Sequence, residues 1–185
     1  MTYGIDHPTT DNALLLVVDV QGKLARLMHE AEHMIGQQRR LVEACRILKM
    51  PVLWAEQLPD KLGATVPELA DKLDGLKPSA KSSFGCWGDK NLREAVRASG
   101  RDRILLCGIE THVCVWQTAA ALRGEDYQVH LITDAVSSRS AFNREVGLKR
   151  MAAAGVHLST VEMVLFELMV DATHPRFRDV TRLLK

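Results

Sequence analysis

The stretch LLLVVDVQ, residues 14–21, begins with five consecutive aliphatic residues, Leu14 to Val18, and breaks off at Asp19. A continuous apolar run without polar alternation fits a strand of a parallel sheet, where both faces are covered, so this run is predicted as the first strand. Parallel neighbours require a crossover, and the next segment supplies one. Met34, Leu41, Val42, Cys45 and Leu48 fall on one apolar stripe at helical offsets, stopped by Pro51. PVLWAE, residues 51–56, then reads as a second strand.

The alternation continues to the end of the chain. Residues 57–85 carry Pro59, Gly63, Pro67, Gly75 and Pro78, which break any long element, and are read as a structured loop. A helix is predicted over 91–99 with Gly100 just past its end, a third strand over 103–107, and a helix over about 112–123. A fourth strand follows at 128–133, a helix at 143–154 closed by Gly155, a fifth strand at 156–160, and a helical C-terminal end. This order predicts one α/β domain over residues 1–185. Its core is an open, mostly parallel sheet with helices on both faces, a Rossmann-like three-layer arrangement. In such sheets ligands bind outside the carboxyl ends of the strands, where Asp19 and the turn GIETHVC, residues 108–114, are both placed.

Composition narrows the function classes. With 46% hydrophobic and 25% charged residues the chain is an ordinary globular sequence, not a disordered one. Its 24 basic residues are interspersed with 23 acidic ones for a net charge of +1, so neither nucleic acid nor membrane is expected as a partner. The first residues, MTYGIDHPTTDN, resemble no export or transit signal, and Leu14 to Val18 is far shorter than the roughly 20 apolar residues that span a bilayer. Four cysteines in no CxxC pair fit a reducing, cytoplasmic setting.

In GIETHVC, Thr111 is the expected N-cap of the following helix, which puts Cys114 in its first turn. Unpaired N–H groups at a helix start favour an anion, and thiols there drop from about 8.5 toward roughly 3.5–7.5 in pKa, so Cys114 is expected to be a nucleophile. Position alone leaves a packing role equally open, since free cysteine is commonly buried. Cys45 lies on a helix stripe and Cys107 in a strand; Cys86, in SSFGCWG, is the rival. His112, two residues from Cys114, should face elsewhere. Asp19 is the expected proton acceptor, because desolvation at the end of an apolar strand raises a carboxyl pKa, with a solvated loop aspartate as the plain alternative. Lys81 and Lys77 stand equal as sources of positive charge.

Several segments together resemble the isochorismatase-like hydrolases: LLLVVDVQ, KSSF at 81–84, LLCGIETHVCVWQTA at 105–119, VHLITDAVSSRS at 129–140 and VLFELMVDATHPRF at 164–177. The resemblance covers nearly the whole chain and is strongest to the isochorismatase domain-containing proteins of eukaryotes and their small bacterial relatives. It implies a catalytic triad of Asp19, Lys81 and Cys114, a cis peptide between Ile109 and Glu110, and an oxyanion hole from the backbone N–H groups of Glu110 and Cys114. Nicotinamidases of this family bind a metal through one Asp and two His, but no His occurs here between His33 and His112, so neither metal nor other cofactor is expected.

With Cys114 kept, the resemblance implies cleavage of a small amide or carbamoyl-type C–N bond through a thioester-type intermediate. The alternatives are vinyl-ether hydrolysis, a non-catalytic binding or scaffold protein on the same fold, and a thiol redox protein using Cys114 and Cys86. Phe84, Trp87 and Trp116 are candidates for the apolar wall of a small-molecule pocket, and Gln21 and Gln57 for orienting a polar group, against a plain core role for each. Relatives self-associate, so the resemblance also implies a homo-oligomer.

Overall fold

In the computed structural model, residues 7–185 are described, and among them the chain alternates strand and helix. The strands are β1 (Ala13–Val18), β2 (Val52–Gln57), β3 (Ser79–Lys81), β4 (Arg103–Ile109), β5 (Gln128–Ser137) and β6 (His157–Ser159). The helices are α1 (Gly22–Arg26), α2 (Ala31–Ile47), α3 (Pro59–Leu62), α4 (Pro67–Ala70), α5 (Lys90–Ala98), α6 (Trp116–Gly124), α7 (Ala141–Ala153), α8 (Val161–Met169) and α9 (Phe177–Leu183). A 3-10 turn (Cys86–Gly88) precedes α5, and a single π-helical stretch (Thr111–Val115) leads into α6.

The six strands form one all-parallel sheet in the order β3-β2-β1-β4-β5-β6. β1 is central and buried at every position, which accounts for its unbroken aliphatic sequence. Leu14, Leu15 and Leu16 are each at most 1% exposed, and burying a leucine side chain stabilises by roughly 1.5–3 kcal/mol. Helix α2 packs on β5, α8 and α9, while α6 packs on α7, giving a helical layer on each face of the sheet. The stripe residues Met34, Leu41, Val42 and Cys45 are buried as expected. The neighbouring Gln38 is buried with them, its amide Nε2 donating to the Ala135 carbonyl at 2.9 Å.

Two sequence expectations change. The segment 57–85 is not only loop: it contains the short helices α3 and α4 and a sixth strand, β3. Three residues are too few to show a periodicity, and β3 exists because Ser79, Ala80 and Lys81 pair with Ala55, Glu56 and Gln57 of β2. The helix expected from about residue 112 with Thr111 as its cap instead has Glu110 at the cap, with no side-chain capping bond, and begins as a π turn at Thr111.

Strand order reverses between β1 and β4, which leave the sheet centre in opposite directions along the chain. A crevice at that switch point, beyond the carboxyl ends of the strands, is where an open α/β sheet can receive a ligand. Gly108 makes the pair close there. Its φ is +123°, and a Cβ on it would stand 2.1 Å from the Val18 carbonyl oxygen, so a glycine is required where β4 passes β1.

Candidate active site

Four neighbouring strands end side by side at this crevice and deliver five polar groups: β3 ends in Lys81, β2 in Gln57, β1 is followed by Asp19, and β4 by Glu110 and the turn bearing Cys114. Asp19 adopts a left-handed conformation with φ 55°, tolerated better by Asp and Asn than by other side chains, and its N–H donates to the Ala55 carbonyl at 3.1 Å. The chain therefore turns at once as it leaves β1, with the carboxylate held 2% exposed.

Lys81 is the centre of the cluster. Its ammonium donates to Asp19 Oδ2 at 2.6 Å, Gln57 Oε1 at 2.8 Å, and the carbonyls of Phe84 at 2.9 Å and Ser83 at 3.1 Å. Four acceptors surround three N–H groups, so no donor is left for a ligand; Lys81 acts as a fixed charge. Gln57 is held in turn: its Nε2 donates to Ser82 O at 2.7 Å, and its backbone N–H donates to Gln21 Oε1 at 2.6 Å. Gln21, fully buried, places its own amide hydrogens on the Gln57 and Gly63 carbonyls at 3.1 and 2.7 Å. Both glutamines thus brace the loop around Lys81.

Burial pushes the Asp19 carboxyl above its ordinary value; Lys81 opposes this by Coulomb attraction and a hydrogen bond, and the Cys114 thiol opposes it as a donor beside the carboxylate. No hydrogen bond of ordinary geometry reaches the buried Asp19 Oδ1. Cys114 is 9% exposed. Its thiol is pushed up to about 12, first by burial and then by the Asp19 charge, with Lys81 pulling the other way. The expectation of a resting thiolate at a helix start is therefore corrected. Desolvation and the adjacent carboxylate outweigh the favourable end of the helix, so the thiol is protonated until a base takes its proton.

The turn carrying Cys114 is tied down from several sides. The Ile109–Glu110 peptide is cis. The Glu110 carbonyl accepts from the N–H groups of Val113 and Val115, on either side of Cys114, at 3.0 and 3.2 Å. The Glu110 carboxylate accepts from the Arg139 backbone N–H at 2.9 Å and from its Nε at 3.1 Å, joining the ends of β4 and β5. His112 has its Nδ1 2.9 Å from Ser138 Oγ. Gly147 of α7 lies so close that a Cβ on it would meet the His112 backbone at 3.1 Å.

The aromatic candidates lie in different places. Phe84 is 57% exposed, next to the carbonyl that binds Lys81. Trp87 packs edge to face on Tyr127 at 5.4 Å and lies beneath Arg97, and Trp116 lies beneath Arg150 at 4.4 Å. Sequence reasoning missed two polar groups. Glu56, buried on β2, accepts from Thr65 N and Oγ1, both at 2.7 Å, and its charge adds to the upward pressure on Asp19. Thr118 donates from its hydroxyl to the Cys114 carbonyl at 2.7 Å. A buried carboxylate in an otherwise apolar strand was the available signal for the first; the second carried none.

Among the described residues no group of three or more His, Cys, Asp or Glu side chains is arranged to hold a metal ion, and no helix is long and apolar enough to cross a membrane. An apolar groove of about 590 Å³ beside α8, lined by Met163, Phe166, Val170 and Phe177, holds none of the groups above.

The isochorismatase domain model matches residues 13–163. Isochorismatase domain-containing protein 2 of Danio rerio is 38% identical over 182 residues, covering 98% of this chain and 91% of that protein. The structure of the MAR1 ribonuclease of Caenorhabditis elegans superposes with a TM-score of 0.92 at 34% identity, covering 97% of this chain and 92% of the other. The YcaC gene product of Escherichia coli, described as an octameric hydrolase of unknown specificity, superposes with a TM-score of 0.88 at 24% identity, covering 99% and 97%.

Proposed function

This chain belongs to the isochorismatase family, and on that premise we propose that it is a cysteine hydrolase with Cys114 as nucleophile, Asp19 as general base and Lys81 as the fixed charge that steadies them. The observation that carries this reading is the fully buried Lys81–Asp19 ion pair, 2.6 Å long, set against the Cys114 thiol. Nothing in packing calls for two buried charges beside a thiol, and burying them costs several kcal/mol per ion in desolvation.

The two shifts oppose each other in this transfer: the raised carboxyl pKa makes Asp19 a stronger base than a solvated carboxylate, while the raised thiol pKa keeps the proton on Sγ until the base takes it. Lys81 faces a single negative charge before and after the transfer, first on oxygen and then on sulfur, and so holds the site near neutral throughout. The thiolate attacks a carbonyl carbon, and the backbone N–H groups of Glu110 and Cys114 receive the oxyanion. Each such donor is worth roughly 3–4 kcal/mol in the transition state. Asp19 returns the proton to the departing nitrogen, and water, deprotonated by the same carboxylate, releases the acid from the thioester. The bond cleaved is a small amide or carbamoyl-type C–N bond.

The three groups are at most 9% exposed, which favours a small substrate. Phe84 at the rim of the site is the wall of this reading, with Gln57 and Gln21 holding the Lys81 loop in place. The protein works as a homo-oligomer, which light scattering on the purified protein tests. The activity is tested by a screen of small primary amides, ureides and carbamoyl compounds with ammonia detection, run beside a Cys114→Ala control. Because a 34% identical relative is called a ribonuclease, RNA is included. RNA cleavage that survives Cys114→Ala, with no ammonia from any compound, overturns the proposal.

A further inference from the structure

The mechanism above leaves one nucleophile at the site unused. Cys86, 1% exposed, lies in the 3-10 turn after KSSF, and its thiol senses the charges of Lys81 and Asp19 and the hydroxyl of Thr118. It therefore borders the same ion pair as Cys114, and Cys114 senses Cys86 in turn. Two features of the chain hold this arrangement. A Cβ on Gly85 would stand 3.1–3.3 Å from Gln117, so the missing side chain lets the turn press against α6. The Thr118 hydroxyl donates to the Cys114 carbonyl at 2.7 Å and accepts from the Cys86 N–H at 2.9 Å, joining the two cysteine backbones through one oxygen atom. Their exposure differs: Cys114 is 9% exposed and Cys86 1%.

We propose that Cys86 is a resolving thiol for Cys114, so that peroxide closes the site reversibly by forming an intramolecular Cys86–Cys114 disulfide. In the first step Cys114 Sγ attacks one peroxide oxygen and the O–O bond breaks. The thiol proton passes through Asp19 to the departing hydroxide, which leaves as water, and Cys114 becomes a sulfenic acid. In the second step Cys86 Sγ attacks Cys114 Sγ, the S–S bond forms as the S–O bond breaks, and the hydroxyl leaves with the Cys86 proton as a second water. Two thiols are oxidised by two electrons, and one peroxide is reduced to two waters. A sulfenic acid with no thiol beside it proceeds to sulfinic and sulfonic acids that thiol reductants do not reverse. A disulfide needs Cα atoms about 4.4–6.8 Å apart, so the proposal requires Cys86 and Cys114 to come within that span across the Thr118 hydroxyl. Cys45 and Cys107, which neighbour each other in the core at 0% exposure, form the internal control.

The inference requires Cys114 to be reachable but not that the protein hydrolyse an amide, so its test counts thiols rather than turnover. The reduced full chain is treated with a few equivalents of hydrogen peroxide, blocked with N-ethylmaleimide and mapped without reduction. The expected result is a fall from four free thiols to two, a cross-linked peptide pair containing Cys86 and Cys114, and return of all four thiols on treatment with dithiothreitol. At the same dose Cys86→Ala should lose one thiol, as a sulfenic acid trapped by dimedone or as higher acids that dithiothreitol does not rescue. Wild-type protein that carries Cys114 as sulfinic or sulfonic acid while Cys86 stays free would overturn the inference without any variant having to fold. A cross-link between Cys45 and Cys107, or between two chains, in place of the Cys86–Cys114 bond would overturn it equally.

Discussion

Replacing Lys81 with Met keeps the length and removes the charge, which leaves Asp19 buried without its counter-ion. The variant has two ways to respond, and the cheaper sets the cost. Holding a bare carboxylate there is expensive, so the folded protein protonates it instead. At pH 7 this costs about 1.4 kcal/mol for each unit between the ordinary carboxylate value of 3.8 and the solution pH, or about 4 kcal/mol. That agrees with the roughly 3–5 kcal/mol lost when one partner of a buried pair is removed. At pH 5 the same sum gives about 1.6 kcal/mol, so the penalty should shrink by up to about 3 kcal/mol between the two. The sign follows from Asp19 having a raised pKa when folded: the folded state keeps a proton that the unfolded chain has lost, so stability falls as pH rises above about 3.8. Wild-type protein carries part of this slope because burial raises its Asp19 too, which makes 3 kcal/mol a ceiling. A second loss does not depend on pH, because Gln57 Oε1 and the carbonyls of Ser83 and Phe84 lose their donor. Urea denaturation of wild type, Lys81→Met and Lys81→Met/Asp19→Asn at pH 5 and 7 measures this. The double variant should lose the extra pH dependence. An equal penalty for Lys81→Met at both pH values would refute the account, since it would mean that Lys81 does not govern the protonation of Asp19.

On any amide that the protein turns over, Asp19→Asn and Cys114→Ala should each lower kcat at least about a thousandfold, and the double variant should be scarcely worse than the poorer single one, because members of one catalytic unit are not additive; multiplying losses would separate the two residues. Iodoacetamide should label Cys114 before Cys45 and Cys107 in a timed peptide map, slowly at pH 7 and faster with rising pH, as a thiol pushed up to about 12 requires; a fast, pH-independent reaction would show a resting thiolate. Gly108→Ala should destabilise the fold by more than about 3 kcal/mol or prevent expression, because the new Cβ meets the Val18 carbonyl at a φ that suits glycine; an unchanged thermal midpoint counts against the close approach of β1 and β4. Alkali should weaken the protein above pH 9: the folded state keeps the Cys45 proton, at about 12, while the unfolded thiol ionises near 9.0, and Cys45→Ala should remove about 1.4 kcal/mol of the loss at pH 10 in chemical denaturation.

The sequence by itself determined the layers of this protein and the candidates for its reactive groups. Unbroken aliphatic runs at Leu14–Val18 and Ile104–Cys107, each followed by a helical stripe, can be satisfied only where strands are covered on both faces, so the parallel sheet was legible from local pattern. Asp19 and the GIETHVC turn were legible for the same reason, as polar groups at the ends of buried runs. What only the tertiary structure decided depends on neighbours distant in the chain. Strand β3 is made by pairing with β2, and that pairing sets Lys81 rather than Lys77 beside Asp19, 62 residues away in sequence. The protonation of Cys114 was decided the same way. A helix start read along the chain predicts a lowered thiol pKa, but the desolvation and the Asp19 charge that reverse it come from the fold around the turn, and at these short distances in a buried site they are the stronger fields.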